Sequence, residues 1–110
     1  MRDEPLSIEE FSAAEHNRVL RLTGPLTIAT LFKFQDLVRS GSSPKLIVDF
    51  TNVPYIDSAG VGALVGAYVR QQKEGHSLTL AGVNDRVRGT LKVTQVDKFF
   101  AYIESVPQSA

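Results

Sequence analysis

Tyr55-Ile56-Asp57-Ser58-Ala59-Gly60-Val61-Gly62-Ala63-Leu64-Val65-Gly66-Ala67-Tyr68-Val69-Arg70, running on to Gly75, joins a turn, a hydroxyl and an amphipathic segment. Val61, Leu64, Val65, Tyr68 and Val69 recur at i, i+3, i+4, i+7 and i+8, the pattern of one buried helical face. Lys73 falls in the last turn, and Gly75 supplies the left-handed residue that ends such a helix. At the other end stand Asp57 and Ser58, both residue types whose side-chain oxygens accept hydrogen bonds from unpaired first-turn amides. Ser58 is thereby placed at or next to the positive end of a helix dipole, where a phosphate would meet free amides and a favourable field.

Outward from this segment, the pattern alternates between strand and helix. Leu6 to Phe11 alternates loosely and Arg18 to Thr23 well, with Leu20 and Leu22 on one face and Val19 and Arg21 on the other, so two half-buried strands are expected around a turn at Ala13 to Asn17. Thr27 is positioned to cap a helix whose Ile28, Leu31, Phe32 and Val38 share a face, with Phe34 and Leu37 widening the apolar arc toward the core edge or a partner. Ser40 to Pro44 is turn chemistry. Lys45 to Phe50 then reads as a central strand covered on both faces.

The segment quoted first returns the chain to Ser77–Val83, a second such strand, which makes a right-handed parallel crossover the default. Asn84 or Asp85 caps a third helix containing Val87 and Leu91, interrupted by Gly89, and Phe99 to Ile103 is a last strand. The expected fold is α/β: a single domain over residues 1–110, a mixed sheet of about five strands with three or four helices, and a loose tail from Val106.

Composition bounds the function. The 110 residues suit one domain, and a hydrophobic fraction of 43% suits a folded core. Twelve basic and twelve acidic side chains cancel, so no global field recruits nucleic acid or an acidic membrane surface. There is no cysteine, hence neither disulfide nor thiolate chemistry, and metal ligands are limited to His and carboxylate. No apolar run approaches the roughly 20 residues of a membrane-spanning helix, and the start lacks the apolar core of a signal peptide. A soluble, cytoplasmic protein is expected.

Val48-Asp49-Phe50, Val53, Ile56-Asp57-Ser58-Ala59-Gly60-Val61-Gly62 and Leu64 together resemble a STAS domain of the anti-sigma factor antagonist type. The resemblance extends to Leu22–Thr27 and to Val96–Phe100, so it spans most of the chain. It implies a small bacterial partner-switching protein without enzymatic activity or cofactor, a transcription regulator in which the serine matching Ser58 is phosphorylated by an anti-sigma factor that is itself a kinase. The unphosphorylated form would bind that kinase and free a sigma factor, and a serine phosphatase would reset it. Carried over by position, Ser58 is the acceptor and Asp57 its acidic neighbour, while Gly60 and Gly62 keep the helix start open. Thr27, Asp57, Ser58, Gly60, Val61 and Gly62 are then the partner-binding residues of a monomer or weak homodimer that neither binds nucleic acid nor inserts into a membrane.

The chain departs from its similar antagonists in two places. Gly24-Pro25-Leu26-Thr27 stands where they usually carry Gly-Glu-Leu-Asp, and their further C-terminal helix is missing or reduced to about a turn. The first departure motivates an alternative, a STAS adaptor that is never phosphorylated and docks in a lipid-transport or stress-signalling assembly.

Bland readings of the same residues stand beside these. Ser58 can be only a cap, and Asp57 only a turn residue. Gly60, Gly62, Ala63, Gly66 and Ala67 signify either a docking surface or close packing on the sheet. A hydrolase built on Ser58 fails because Ile56 replaces the first glycine of the nucleophile elbow. His76 lies beyond the far helix end, about 25 Å off at 1.5 Å per residue, and His16 lies in the hairpin turn. Gly60 to Gly66 does not fit Gly-x-Gly-x-x-Gly, because Val65 takes the third glycine's place, which leaves at most weak nucleotide binding at the helix start.

Overall fold

The computed structural model describes residues 5–107. Strands β1 (Ser7–Ala13), β2 (Asn17–Thr23), β3 (Lys45–Asn52), β4 (Ser77–Ala81) and β5 (Ala101–Ile103) form one sheet in the order β1-β2-β3-β4-β5. β1 and β2 are antiparallel, and every later neighbour is parallel. Helices α1 (Leu31–Ser40), α2 (Ser58–Lys73) and α3 (Asp85–Val93) make the three crossovers. Successive crossovers of one hand, stepping one way across a sheet, lay all their helices on the same face.

The core agrees. Leu20, Leu22, Leu46, Val48, Phe50, Leu78 and Leu80 from the strands pack with Leu31, Phe34 and Val38 of α1, Val61, Ala63, Leu64 and Ala67 of α2, and Val87 and Leu91 of α3. On the other sheet face a smaller cluster of Ala13, Val19, Ile47 and Ala81 includes no helical residue and is covered by Phe11, Ile103 and Val106. The expected double burial of β3 is met, but by helices on one side only. Val106 is half-buried against this cluster, so the tail is not loose at that point; residues 108–110 of it lie outside the described residues.

Charge is also handled on that open face. Asp49 is buried there and accepts hydrogen bonds from the Thr51 amide (2.9 Å), the Thr51 hydroxyl (2.6 Å) and Arg21 Nε (2.8 Å). Burial alone raises its pKa, but the hydrogen bonds from Thr51 and Arg21 outweigh burial and hold the carboxyl below its usual value. The Arg21 guanidinium in turn lies 4.8 Å over the Phe11 ring.

Both long helices are rotated relative to the sequence pattern. In α1 the buried residues are Leu31, Phe34 and Val38, while Ile28 and Phe32, expected inside, are 63% and 62% exposed. The helix begins at Leu31 rather than just after Thr27, because residues 27–30 form a separate turn. Thr30 Oγ1 accepts from the Thr27 amide at 2.9 Å and donates to the Pro25 carbonyl at 2.9 Å, and the Thr27 carbonyl accepts from Leu31 N at 2.9 Å. In α2 the buried set is Gly60, Val61, Ala63, Leu64, Ala67 and Gln71, whereas Val65 and Tyr68 are half-buried and Val69 is exposed. Small residues let the helix approach its neighbours closely. Gln71, apolar by neither type nor pattern, is buried because its amide donates to the Ser43 and Ser77 carbonyls at 3.1 and 2.8 Å, fastening the helix end to the strand starts.

The last third follows expectation with shorter bounds. β4 stops at Ala81, and Gly82 turns the chain with φ of 67°. Asn84 caps α3, and the aromatic run at Phe99 begins in a single turn of 3-10 helix (Asp97–Phe99) before the three residues of β5. Phe99 and Phe100 pack against Tyr68, each with ring centroids 5.6 Å apart.

Candidate functional site

The segments leading into α1 and α2 are zipped together at the carboxyl ends of β2 and β3. Gly24 N donates to Asn52 O at 3.0 Å, Leu26 N to Tyr55 O at 3.3 Å, and Asp57 N to Leu26 O at 3.3 Å, making a parallel bridge between Leu26 and Ile56. This continues the β2–β3 pairing beyond the register shift after Arg21. The two helix starts therefore share one end of the sheet, and the residues named from the sequence come together there.

Asp57, not Ser58, is the cap of α2. Its Oδ1 accepts from Gly60 N at 2.8 Å, and its Oδ2 accepts from Ile28 N at 3.1 Å. One carboxylate thus satisfies an orphan amide of the helix and one from the facing turn, at the positive end of the α2 dipole. Ser58 is the first helical residue and is exposed, so its hydroxyl points no obligation inward. Thr27 is half-buried, its hydroxyl accepting from Ala29 N at 3.2 Å in the turn that faces Asp57.

The glycines divide. A Cβ on Gly60 would lie 2.1 Å from the Leu26 carbonyl oxygen, so that glycine permits the Leu26 strand to press on the helix. Gly62 and Gly66 would meet nothing within 4 Å. Close packing accounts for Gly60, Ala63 and Ala67, and openness to solvent for Gly62. Gly60 and Val61 are buried and shape the site from beneath; Thr27, Asp57, Ser58 and Gly62 reach its surface.

What sequence reading missed is the surface beside Ser58. Ile28 and Phe32 point outward one turn apart, and the Ile28 amide is bonded to the same carboxylate that caps α2. Their helix-compatible spacing to Leu31 and Val38 made them look like core. The usable signal was the competing set Leu31, Phe34 and Val38, which leaves Ile28 and Phe32 on a second face.

Among the described residues neither histidine lies near Ser58. His16 is exposed in the β1–β2 turn and His76 follows the far end of α2. Among the described residues no group of three His, Asp or Glu is arranged to hold a metal ion, and no helix is long and apolar enough to cross a membrane.

The chain belongs to the STAS domain family, whose model matches residues 10–110. Its fold is similar to that of an anti-sigma factor antagonist from Mycobacterium paratuberculosis, at 19% identity over 88% of this chain and 84% of that one, with a TM-score of 0.77. It is also similar to the anti-sigma factor antagonist SpoIIAA in its unphosphorylated form, at 17% identity over 88% of each chain, with a TM-score of 0.73. The phosphorylated form of SpoIIAA, described as a Bacillus cell fate determinant, matches at 16% identity over 88% of this chain and 91% of that one, with a TM-score of 0.69. At such identities the likeness shows the fold.

Proposed function

We propose that this STAS domain is an anti-sigma factor antagonist, a partner-switching regulator controlled by phosphorylation of Ser58. The observation that carries the reading is the placement of an exposed serine hydroxyl as the first residue of α2, with the cap role taken by Asp57. Among the described residues no hydrogen bond engages that hydroxyl, which leaves it accessible for phosphoryl transfer. Support also comes from the solved relatives, which are anti-sigma factor antagonists and include one in a phosphorylated form.

In this reading the unphosphorylated protein docks on an anti-sigma factor with serine kinase activity through Thr27, Asp57, Ser58 and Gly62, with Gly60 and Val61 supporting them. The complex frees a sigma factor. Phosphoryl transfer to Ser58 Oγ then adds about −1.5 to −2 charges. At the helix start these meet free amides and the dipole, so the domain tolerates them. Against a partner surface shaped for a neutral hydroxyl they are an unpaired, desolvated charge, and the complex dissociates. A serine phosphatase restores the binding form.

The test is incubation with ATP and the cognate anti-sigma factor kinase. One phosphate should appear, on Ser58, and Ser58→Ala should abolish it while retaining kinase binding. Phosphate mapped to Thr27, or none with an active kinase, would instead favour the adaptor reading.

A further inference from the structure

We infer that a cleft at the carboxyl ends of β4 and β5, with the Arg88 guanidinium in its wall, binds a short-chain monocarboxylate. The site is separate from Ser58 and independent of the function proposed above. It measures about 210 Å³ and is lined by Gly82, Val83, Arg88, Tyr102, Ile103 and Glu104. Open α/β sheets bind their ligands at the carboxyl ends of parallel strands. The volume falls below the roughly 300–1,000 Å³ of sites for drug-sized molecules, so the ligand has few heavy atoms.

Arg88 identifies the chemistry. Three arginines among the described residues are half-buried: Arg18, Arg21 and Arg88. Two of them spend their charge on carboxylates, Arg18 Nε on Glu10 at 2.7 Å and Arg21 Nε on Asp49 at 2.8 Å. The third lies with its guanidinium carbon 3.9 Å from the Tyr102 ring centroid. A ring face attracts the cation without using its in-plane N–H donors, which keep the fork that matches a carboxylate. Among the described residues no acceptor engages those donors, and neither Asp85, three residues earlier on α3, nor Glu104 in the same cleft is ion-paired to Arg88. The acidic residues outside the described range, Asp3 and Glu4, precede β1, the strand at the opposite edge of the sheet.

The walls are fixed by the fold. The Tyr102 hydroxyl donates to the Asp97 carbonyl at 2.6 Å, and Gly82 N donates to the Ile103 carbonyl at 3.0 Å, tying the ends of β4 and β5 together. Val83 and Ile103 supply apolar surface for a short hydrocarbon chain behind the carboxylate. Glu104, exposed in the lining, limits the ligand's charge. Its repulsion doubles for a dianion, so a monocarboxylate is preferred over phosphate.

NMR titration of the isotope-labelled protein with sodium butyrate, at constant ionic strength, tests the inference. Saturable shifts should be confined to the amides of Gly82, Val83 and Ile103 and to the Arg88 Nε–H. Arg88→Gln should weaken binding at least about tenfold, the loss of a charge-assisted hydrogen bond. Glu104→Gln should tighten it about two- to fivefold by removing a like charge. Urea titrations establish that each variant is folded. Linear shifts that sodium chloride reproduces would overturn the site, as would undiminished butyrate binding by folded Arg88→Gln. Should Arg88→Gln lose its fold, the wild-type Arg88 Nε–H decides, and no shift there at saturation overturns the assignment. Phosphate binding as tightly as butyrate would overturn the monocarboxylate. Weaker butyrate binding in Glu104→Gln would do the same, because Glu104 would then be attracting the ligand.

Discussion

Helices α2 and α3 start alike and end up unlike. Each leaves the carboxyl end of a parallel strand, and each is capped by a side-chain oxygen accepting the amide three residues on: Asp57 from Gly60 N and Asn84 from Val87 N, both at 2.8 Å. Each cap also ties its helix to a second segment. Asp57 does so as an acceptor, from Ile28 N at 3.1 Å; Asn84 does so as a donor, to the Val53 carbonyl at 3.0 Å. The residue after the cap then separates them, being Ser58 in α2 and Asp85 in α3, both exposed. Thus α3 carries permanently, at its first position, the negative charge that phosphorylation would bring to α2. Capping belongs to the fold in both helices, and the Ser58 hydroxyl, exposed beside the cap, is the group that the proposed function uses.

The sharpest way to break this comparison is through the glycines. Gly60 lies in the first turn of α2 under the Leu26 carbonyl, where a Cβ would stand 2.1 Å from a backbone oxygen, whereas Gly89 in α3 has open space around it. Gly60→Ala should destabilise by about 2 to 3 kcal/mol or more, since backbone has to move. Gly89→Ala should stabilise by up to about 1 kcal/mol through helix propensity. Urea denaturation of the pair decides it; equal midpoints would mean that the Leu26 strand is not pressed on α2.

Exchanging the caps is the next largest effect. Asp57→Asn leaves a single acceptor oxygen, so an amide N–H must face the N–H of either Gly60 or Ile28. Asn84→Asp sets a carboxylate oxygen against the Val53 carbonyl. Each replacement should cost about 1 to 2 kcal/mol, although either residue is a good cap in isolation. Neutral exchanges in thermal unfolding would show that the second tethers carry no weight.

These two starts also show how far the sequence could be read. The order of elements, the parallel crossovers and the caps of α2 and α3 were legible because local pattern dictates them: strict alternation in β2, apolar runs in β3 and β4, and Asp or Asn before an apolar period; the cap expected at Thr27 was not, since α1 starts after Thr30. Rotation of the helices was not. Ile28 and Phe32 fit a helical period with Leu31 and Val38, and only the hydrogen bonds to Asp57 and between Leu26 and its neighbours set the entry angle that turns Phe34 inward. Likewise Val69 belonged to the apolar stripe of α2 on spacing, but a helix with Gly60, Ala63 and Ala67 packs more closely on its small side. Ser58 and Asp57 were legible as the start of a capped helix and, through the family signature, as the candidate site, whereas the surface next to them depends on contacts between residues some 30 positions apart.

A third carboxylate must be separated from the caps when acid stability is measured. Asp49 on β3 has its pKa held below the usual 3.8; burial opposes this, but the hydrogen bonds from Thr51 and Arg21 prevail. The unfolded chain therefore takes up this proton more readily than the native one. The stabilisation is fully present above the unfolded value and is lost as pH falls through the lower native value. Asp49→Asn should flatten the stability profile below about pH 4, with little change in the cap mutants' differences at neutral pH. A profile as steep as wild type would show that Asp49 contributes none of it.

The smallest effect bears most directly on the proposed switch. Ser58→Asp gives α2 the first residue that α3 already has, and Asp85→Ser does the reverse. A charge at a helix start gains about 0.3 to 1 kcal/mol from the dipole and free amides. In Ser58→Asp that gain meets repulsion from Asp57 next door, which at a solvated surface is of similar size, at most about 1 kcal/mol. The two should nearly cancel, leaving Ser58→Asp within about 0.5 kcal/mol of wild type. Asp85→Ser has no neighbouring acid to relieve, because Asn84 is neutral, so it should lose the whole dipole contribution. The asymmetry is the expected signature: charge at Ser58 is tolerated by the fold and acts only where a partner would desolvate it. Amide hydrogen exchange on wild type, Ser58→Asp and the phosphorylated protein checks this, with unchanged protection expected across Val61 to Arg70. Loss of protection there would mean that charge at Ser58 loosens α2 itself, and the switch would be conformational rather than a local block.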